Sequence, residues 1–334
     1  KERRKRFLAF FLAGTLALGA LNIPMTAEAG ETVLGNPETI QTSQDTWGRN
    51  SNFNEGWKFK LGNPSSAQNP SFNDSAWEVV DVPHDFSISQ DFTSSGEAES
   101  GFLPGGTGWY RKTVTLPADC AGKSIILNFD GVYSDAYVYV NGNYVGENHY
   151  GYNSFAFDIS AHVVCDGATE NVIAVKAVND IPTSRWYSGS GIYRDVTLSV
   201  VDKVHVALDG TYVTTPNIAS NNGTVNVQVD VVNDTASPAE VTVTNTITEK
   251  GESEILATAE TTVAVAAGAA QTAVSNPVVS NPKLWSVATP NLYEVHTVLE
   301  VAGEVVDTYD STFGFRWFNF DGAYGFQLNG QNLK

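Results

Sequence analysis

Val138-Tyr139-Val140-Asn141-Gly142-Asn143-Tyr144-Val145 is the stretch that decides the fold. Apolar and aromatic residues flank a central Asn-Gly, the dipeptide that accepts the positive φ angles of a tight two-residue turn. The stretch therefore predicts a β-hairpin. Working outward, Ile125, Leu127 and Phe129 point one way, and Phe155, Phe157 and Ile159 repeat the pattern. Such alternation marks strands with one buried face. Val172 to Val178 is apolar on both faces, as a central strand requires. The alternation begins at Trp47, and no sustained 3.6-residue period follows residue 30, so the chain reads as all-β.

Around Val200 to Lys203 the composition changes. Upstream is rich in Trp, Tyr, Phe and Gly; downstream is rich in Val, Thr and Ala. Val225, Val227, Val229 and Val231 alternate with Asn226, Gln228 and Asp230, and Val241, Val243 and Ile247 alternate with Thr242, Thr244 and Thr246. Tyr293, Val295, Leu299 and Val301 keep the same period. Short strands broken by Asn, Asp, Gly and Pro turns predict an immunoglobulin-like sandwich after the aromatic-rich first one.

The 334 residues suffice for two or three domains. A hydrophobic content of 42% with 17% charged residues marks a globular chain. The net charge of −18 excludes nucleic acid as a partner, because phosphate neutralisation needs clustered Lys and Arg. It also argues against an anionic membrane surface. Lys1, Arg3, Arg4, Lys5 and Arg6, the apolar run Phe7 to Leu21, and Ala27-Glu28-Ala29 read as an export signal over residues 1–29. The run is short for a bilayer span. The mature protein is therefore expected outside the cell or on its surface, with no membrane as partner. Residues 30–45 are rich in Thr, Gln and Ser and read as a linker. Cys120 and Cys165 both lie in turn-like stretches. Export permits a disulfide between them, and two free thiols fit equally well. No Cys/His cluster stands at metal-ligand spacing.

The first sandwich carries four motif blocks. They are Val82-Pro83-His84-Asp85-Phe86, Gly105-Gly106-Thr107-Gly108-Trp109-Tyr110-Arg111, the run from Phe129 to Gly142, and Arg185-Trp186-Tyr187-Ser188-Gly189-Ser190-Gly191-Ile192-Tyr193-Arg194-Asp195-Val196. Farther on stand Asn281-Pro282-Lys283-Leu284-Trp285-Ser286, Pro290-Asn291-Leu292-Tyr293, Phe313-Gly314-Phe315-Arg316 and Leu328-Asn329-Gly330. In this order the blocks resemble the N-terminal half of glycoside hydrolase family 2, and within it they are most similar to bacterial β-galactosidases.

The resemblance runs from about Trp47 to the end. It implies a jelly-roll sugar-binding sandwich over residues 46–201, an immunoglobulin-like sandwich over 202–313, and the truncated start of a (β/α)8 barrel over 314–334. It implies retaining hydrolysis of terminal β-D-galactosides by two barrel glutamates roughly 5 Å apart. Those glutamates would lie past residue 334, so no catalytic residue is expected here and the fragment alone is expected to be inactive. β-Glucuronidase and β-mannosidase share the architecture and stay open as alternatives, as does a carbohydrate-binding module without catalysis. The implied partners are a β-galactoside and the barrel of the same chain. Any Mg or Na belongs to that barrel, and no cofactor is expected in these residues.

Asp180 follows the Val172–Val178 strand, where the resemblance places a carboxylate that crosses to the barrel and holds galactose hydroxyls. Asn179 beside it is the second candidate; a turn-forming Asp at a strand end is the alternative. Arg185, Trp186 and Tyr187 combine stacking surfaces with a cationic fork suited to hydroxyls or a carboxylate. Alternatively, Trp186 and Tyr187 anchor the sandwich to the barrel. Gly105 and Gly106 stand where some galactosidases place a substrate-contacting Asn, so that contact is missing here or moved to another loop. Neighbouring side chains of an extended segment point to opposite faces, so His84 and Asp85 are not expected to pair. His84 is expected to be structural and tied to backbone. Glu97, Glu99 and Glu147 read as solvated loop carboxylates. Phe313, Phe315, Trp317, Phe318, Phe320 and Phe326 are expected to stay partly unburied unless the barrel covers them.

Overall fold

The computed structural model describes residues 47–182, 188–219 and 221–333. Residues 1–29, read as an export signal, residues 30–45, read as a linker, and Arg185, Trp186 and Tyr187 lie outside the described residues. The first sandwich contains β1 (Ser51–Asn52), β2 (Trp57–Leu61), β3 (Glu78–Val80), β4 (Gly106–Thr115), β5 (Ser124–Phe129) and β6 (Val132–Tyr133). It continues with β7 (Asp135–Val140), β8 (Asn143–Asn148), β9 (Phe155–Asp158), β10 (Glu170–Asn179), β11 (Gly191–Ile192) and β12 (Val196–Val201). One antiparallel sheet has the order β1-β12-β5-β9, the other β3-β2-β4-β10-β7-β8. The Asn-Gly hairpin joins β7 to β8, with Asn141 and Gly142 at φ of 50° and 82°. Asn141 also ties the turn to the start of β10, because its side-chain Oδ1 accepts from the Val172 amide at 2.8 Å.

Alternation decides which side chains meet. Ile125, Leu127 and Phe129 from one sheet pack with Trp57, Tyr110, Val138 and Val175 from the other in one continuous core. β10 lies between β4 and β7 and is buried over most of its length, which its two-faced apolar sequence demands. Full burial of each Val, Leu or Phe contributes about 1.5–3 kcal/mol.

The second sandwich contains β13 (Val204–Ile218), β14 (Asn222–Asn233), β15 (Ala239–Glu249), β16 (Ala257–Val265), β17 (Ala269–Ser275), β18 (Val278–Ser280), β19 (Tyr293–Val301) and β20 (Glu304–Phe313). One sheet is β13-β14-β17 with β18 also on β14; the other is β16-β15-β19-β20. Val225, Val227, Val229 and Val231 face Val241, Val243, Ile247, Val295 and Leu299 across the core. A buried polar bridge spans it. Thr297 donates to Asn245 Oδ1 at 2.7 Å, and the Asn245 amide donates to Ser275 of the opposite sheet at 3.0 Å.

The two sandwiches are locked where they meet. Arg49 pairs with Asp307, donates to the Val206 carbonyl at 3.0 Å, and lies over the Tyr309 ring at 4.9 Å. Ser124 donates to Asp234 at 2.6 Å, and Lys203 donates to Ser124 at 3.1 Å.

The aromatics of the final stretch divide into two groups. Phe313 and Phe315, expected to stay partly unburied, are instead 9% and 0% exposed inside the second core, where Phe315 meets the Tyr293 ring edge-on at 4.9 Å. β20 runs beside β19, so its last aromatics complete the sandwich they leave. Beyond them β21 (Phe318–Asp321), β22 (Gly325–Leu328) and β23 (Gln331–Asn332) form a small meander. Its Phe318 and Phe320 are 63% and 73% exposed.

Candidate substrate-side site

β10 leads directly to the site. Its last residue, Asn179, is turned inward, whereas the next, Asp180, is exposed. The Asn179 amide donates to Ser190 Oγ at 2.7 Å and to the Gly189 carbonyl at 3.1 Å. Ser87 Oγ lies 2.6 Å from both Ser190 Oγ and the Pro104 carbonyl. The Ser190 and Ser87 amides both donate to Asp85 Oδ1, at 3.0 and 2.9 Å. Backbone bonds from Phe86 to Ser190 and from His84 to Ile192 complete the lattice. Segments 84–87 and 188–192 are thus bound to each other and to Asn179 at the end of β10, next to Asp180.

Two glycines are required by these close approaches. A Cβ on Gly105 would lie 2.2 Å from the Asn179 carbonyl, so the segment that lacks the expected Asn has no room for any side chain at 105. Gly191 has φ +113°, and a Cβ there would lie 2.1 Å from the Tyr110 hydroxyl. Gly189 is likewise at positive φ.

His84 and Asp85 diverge as an extended segment requires. His84 is not tied to backbone through its ring, however. Its Nδ1 lies 2.8 Å from the Tyr110 hydroxyl. Burial pushes the His84 pKa below its ordinary value, against the opposing pull of Glu78 and Asp85. Burial likewise drives the Tyr110 phenol well above its ordinary value. A lowered His84 pKa favours the neutral imidazole, which props the loop against the buried Tyr110 phenol.

None of the glutamates set aside from the sequence forms a catalytic pair with another. Glu97 accepts from Ser100 at 3.0 Å, and Glu99 is exposed. Glu147 was expected in a loop but lies in β8, 3.1 Å from His149 Nε2. The β7–β8 hairpin extends farther than its apolar residues alone predict. Among the described residues, no group of three or more His, Cys, Asp or Glu side chains is placed to hold a metal ion. Cys120 and Cys165 are both free thiols. Burial raises the pKa of each, to about 11 for Cys120.

The described residues of the site can therefore hold and present an acceptor. The Asp85–Ser87–Ser190 network was not legible in the sequence. Asp85 and Ser190 each lie in a motif block, but nothing in their own neighbourhoods joins serines 103 positions apart.

The profile of the sugar binding domain of glycosyl hydrolases family 2 matches residues 53–201, and the companion profile of the same family matches residues 204–316. The chain belongs to glycosyl hydrolase family 2. Within the family it is 38% identical over 287 residues to the β-galactosidase BoGH2A of Bacteroides ovatus, which covers 85% of this chain and 33% of that protein. It is 32% identical over 324 residues to a β-glucuronidase of Formosa agariphila, covering 89% of this chain and 32% of that one. A crystal structure of a family 2 member from Bacteroides cellulosilyticus superimposes with a TM-score of 0.81 at 35% identity, covering 86% of this chain and 38% of that one. The chain thus spans about a third of the length of the family members it matches. Its two sandwiches are the N-terminal domains found in family 2 glycosidases.

Proposed function

We propose that this chain is the substrate-side support of a retaining β-galactosidase whose catalytic barrel follows it. The observation that carries this reading is Asp180, exposed at the end of a buried strand and flanked by segments fixed through Asn179, Ser190 and Asp85. A carboxylate at the end of such a strand can accept hydrogen bonds from sugar hydroxyls. Asn179 then acts from behind, by holding the loop, and Arg185, Trp186 and Tyr187 supply the stacking rim. The 38% identity to a β-galactosidase supports the choice of sugar.

The barrel's docking face is supported by an open groove of about 440 Å³ lined by Trp285, Val287, Arg316, Phe318, Phe320 and Phe326 among others. Exposed rings of this kind call for a covering partner. The export signal supports a location outside the cytoplasm. N-terminal sequencing of the mature protein should begin at or near Gly30.

The test has two parts. The 334-residue chain alone should not hydrolyse a chromogenic aryl β-galactoside. The protein continued past residue 334 should do so, and Asp180→Asn should lower its kcat/KM by about a hundredfold, equivalent to about 2.7 kcal/mol of transition-state binding. Undiminished turnover by that variant would remove Asp180 from the site. β-Glucuronidase is the second reading, favoured by the relatives that bear this name. Arg185 would then meet the uronate, and the longer protein would prefer an aryl β-glucuronide.

A further inference from the structure

The two cysteines of the chain lie together at the end of the first sandwich farthest from Asp180. β4 and β10 pair along their whole length, with Gly106 opposite Asn179 at the site end and Thr115 opposite Glu170 at the other. Beyond Thr115 the chain leaves β4 through Leu116 and Pro117 into a short 3-10 turn, Ala118–Cys120. The approach to β10 runs beside this exit. Leu116 forms a parallel bridge with Cys165, and the Gly167 amide donates to the Leu116 carbonyl at 2.9 Å. Both segments are held. The Cys120 amide donates to the Pro117 carbonyl at 3.1 Å, and the Lys123 amide to the Cys120 carbonyl at 3.2 Å. Opposite them, the fully buried Asn171 accepts from the Val164 amide at 2.7 Å and donates to the Val164 carbonyl at 2.8 Å.

The two thiols face the same core. Leu116 and Cys120 are buried members of it, and the half-buried Cys165 packs against it. Residues paired across neighbouring strands point to one side, so Cys165 turns inward with Leu116. Burial is the chief reason the Cys120 thiol is pushed up to about 11. The next cause is Cys165, which acts more strongly than Asp119, although the Asp119 Oδ1 lies 3.8 Å from the Cys120 sulfur. Each sulfur therefore lies in the field of the other. The sequence holds no third cysteine to compete for either.

We propose that Cys120 and Cys165 form an oxidation site, which a small disulfide oxidant such as oxidised glutathione closes into an intramolecular disulfide that braces the sandwich. Cys165, the more exposed of the two, reacts first. Its thiolate attacks one sulfur of the oxidant, the oxidant's S–S bond breaks, and one glutathione leaves as a thiol after taking up a proton. The Cys120 thiolate then attacks the Cys165 sulfur and releases the second glutathione. Two protein thiols lose two electrons and two protons, and one small disulfide becomes two thiols. The new bond closes a loop of roughly 45 residues, which restricts the unfolded chain far more than the folded one. It joins the exit of β4 to the entry of β10, so the central strand pair is fastened at the end opposite Asn179 and Asp180. The inference stands independently of the sugar that the longer protein cleaves.

The test is oxidation of the reduced, folded 334-residue chain in a buffer of oxidised and reduced glutathione, followed by acid quenching, denaturation, alkylation with iodoacetamide and intact-mass measurement. The oxidised chain should be lighter than the reduced one by about 2 Da and take up no alkyl group, whereas the reduced chain takes up two. Its unfolding temperature should be about 5–10 °C higher, and dithiothreitol should remove the difference. Cys120→Ser should stop at the mixed disulfide of Cys165 with glutathione, and its unfolding temperature should not rise. Two alkylations after oxidation of the folded chain, a disulfide-linked dimer as the product, or a bridge that forms only in urea would overturn the proposal. An oxidised chain that unfolds at or below the temperature of the reduced one would overturn it as well. These readouts are made on the unsubstituted chain, so they decide the matter even where the serine variant fails to fold.

Discussion

The two sandwiches obey the same alternation but spend their interiors differently. The first fills its core with Trp57, Phe59, Phe86 and Tyr110; the second fills its own mainly with valines. Large rings reach past the edge of a sheet. Phe59 stacks on Phe86 at 5.7 Å and contacts Tyr110 at 4.9 Å, and Tyr110 in turn supports His84 and abuts Gly191. The core of the first sandwich therefore continues into its loops and can hold an irregular site. Valine side chains end within the sheet spacing. The second sandwich is consequently a spacer with regular faces, joined to the first through Arg49 and Ser124. Aromatic volume converts a sheet core into a platform for function.

The largest expected effect should fall on the first sandwich alone. Arg111 is 2% exposed, donates to Asp74 at 2.7 Å and to the Ala67 and Asn69 carbonyls, and so clamps the loop over the outer sheet. Arg111→Ala should cost about 3 kcal/mol, because it removes the bonds of a buried guanidinium to two loop carbonyls and leaves Asp74 with Lys58 alone. Urea denaturation followed by the fluorescence of Trp57, Trp77 and Trp109 would report it. A loss spread equally over both sandwiches would show that they unfold as one body.

The pH dependence sharpens the same contrast. Burial raises the Asp74 pKa, but the hydrogen bonds and charges of Arg111 and Lys58 outweigh it and hold the carboxyl below 3.8. A carboxyl lowered by folding contributes stability above its unfolded pKa and loses it as pH falls through the folded value. The first sandwich should therefore weaken selectively below about pH 4. Asp74→Asn should flatten that limb of the stability profile, and an unchanged limb would assign the acid sensitivity to another group.

A smaller effect is expected in the second core. Val243→Ala removes two buried carbons beside Val227 and Leu299 and should cost about 2 kcal/mol, without altering the Trp57 signal. The smallest effect concerns the joint. A double-mutant cycle of Arg49→Ala and Asp307→Ala should give a coupling of about 1 kcal/mol in the stability of either sandwich. Zero coupling would mean that the joint aligns the sandwiches without stabilising them.

Strand periodicity was the most legible feature. Val225 to Val231 and Ile125 to Phe129 face inward as their spacing predicts, since a side chain's face in a strand is a local property. Phe313 and Phe315 were misread because adjacency to a new segment suggested a new partner, whereas strand pairing returned them to the sandwich they follow. The tyrosines of the hairpin read as strand residues, but their mutual ring contacts depend on the register of β7 and β8.

By itself the sequence determined the all-β class, the hairpin at Asn141-Gly142, the change of character near Val200 and the family. Each follows from local spacing, turn chemistry or ordered motifs. Only the tertiary structure decided that Asn179 turns inward while Asp180 faces out, that Ser87 and Ser190 meet across 103 residues of chain, and that Tyr144, Tyr150 and Tyr152 stay exposed. Those outcomes depend on which strands pair and which loops pack together, and no residue encodes such long-range geometry in its own neighbourhood.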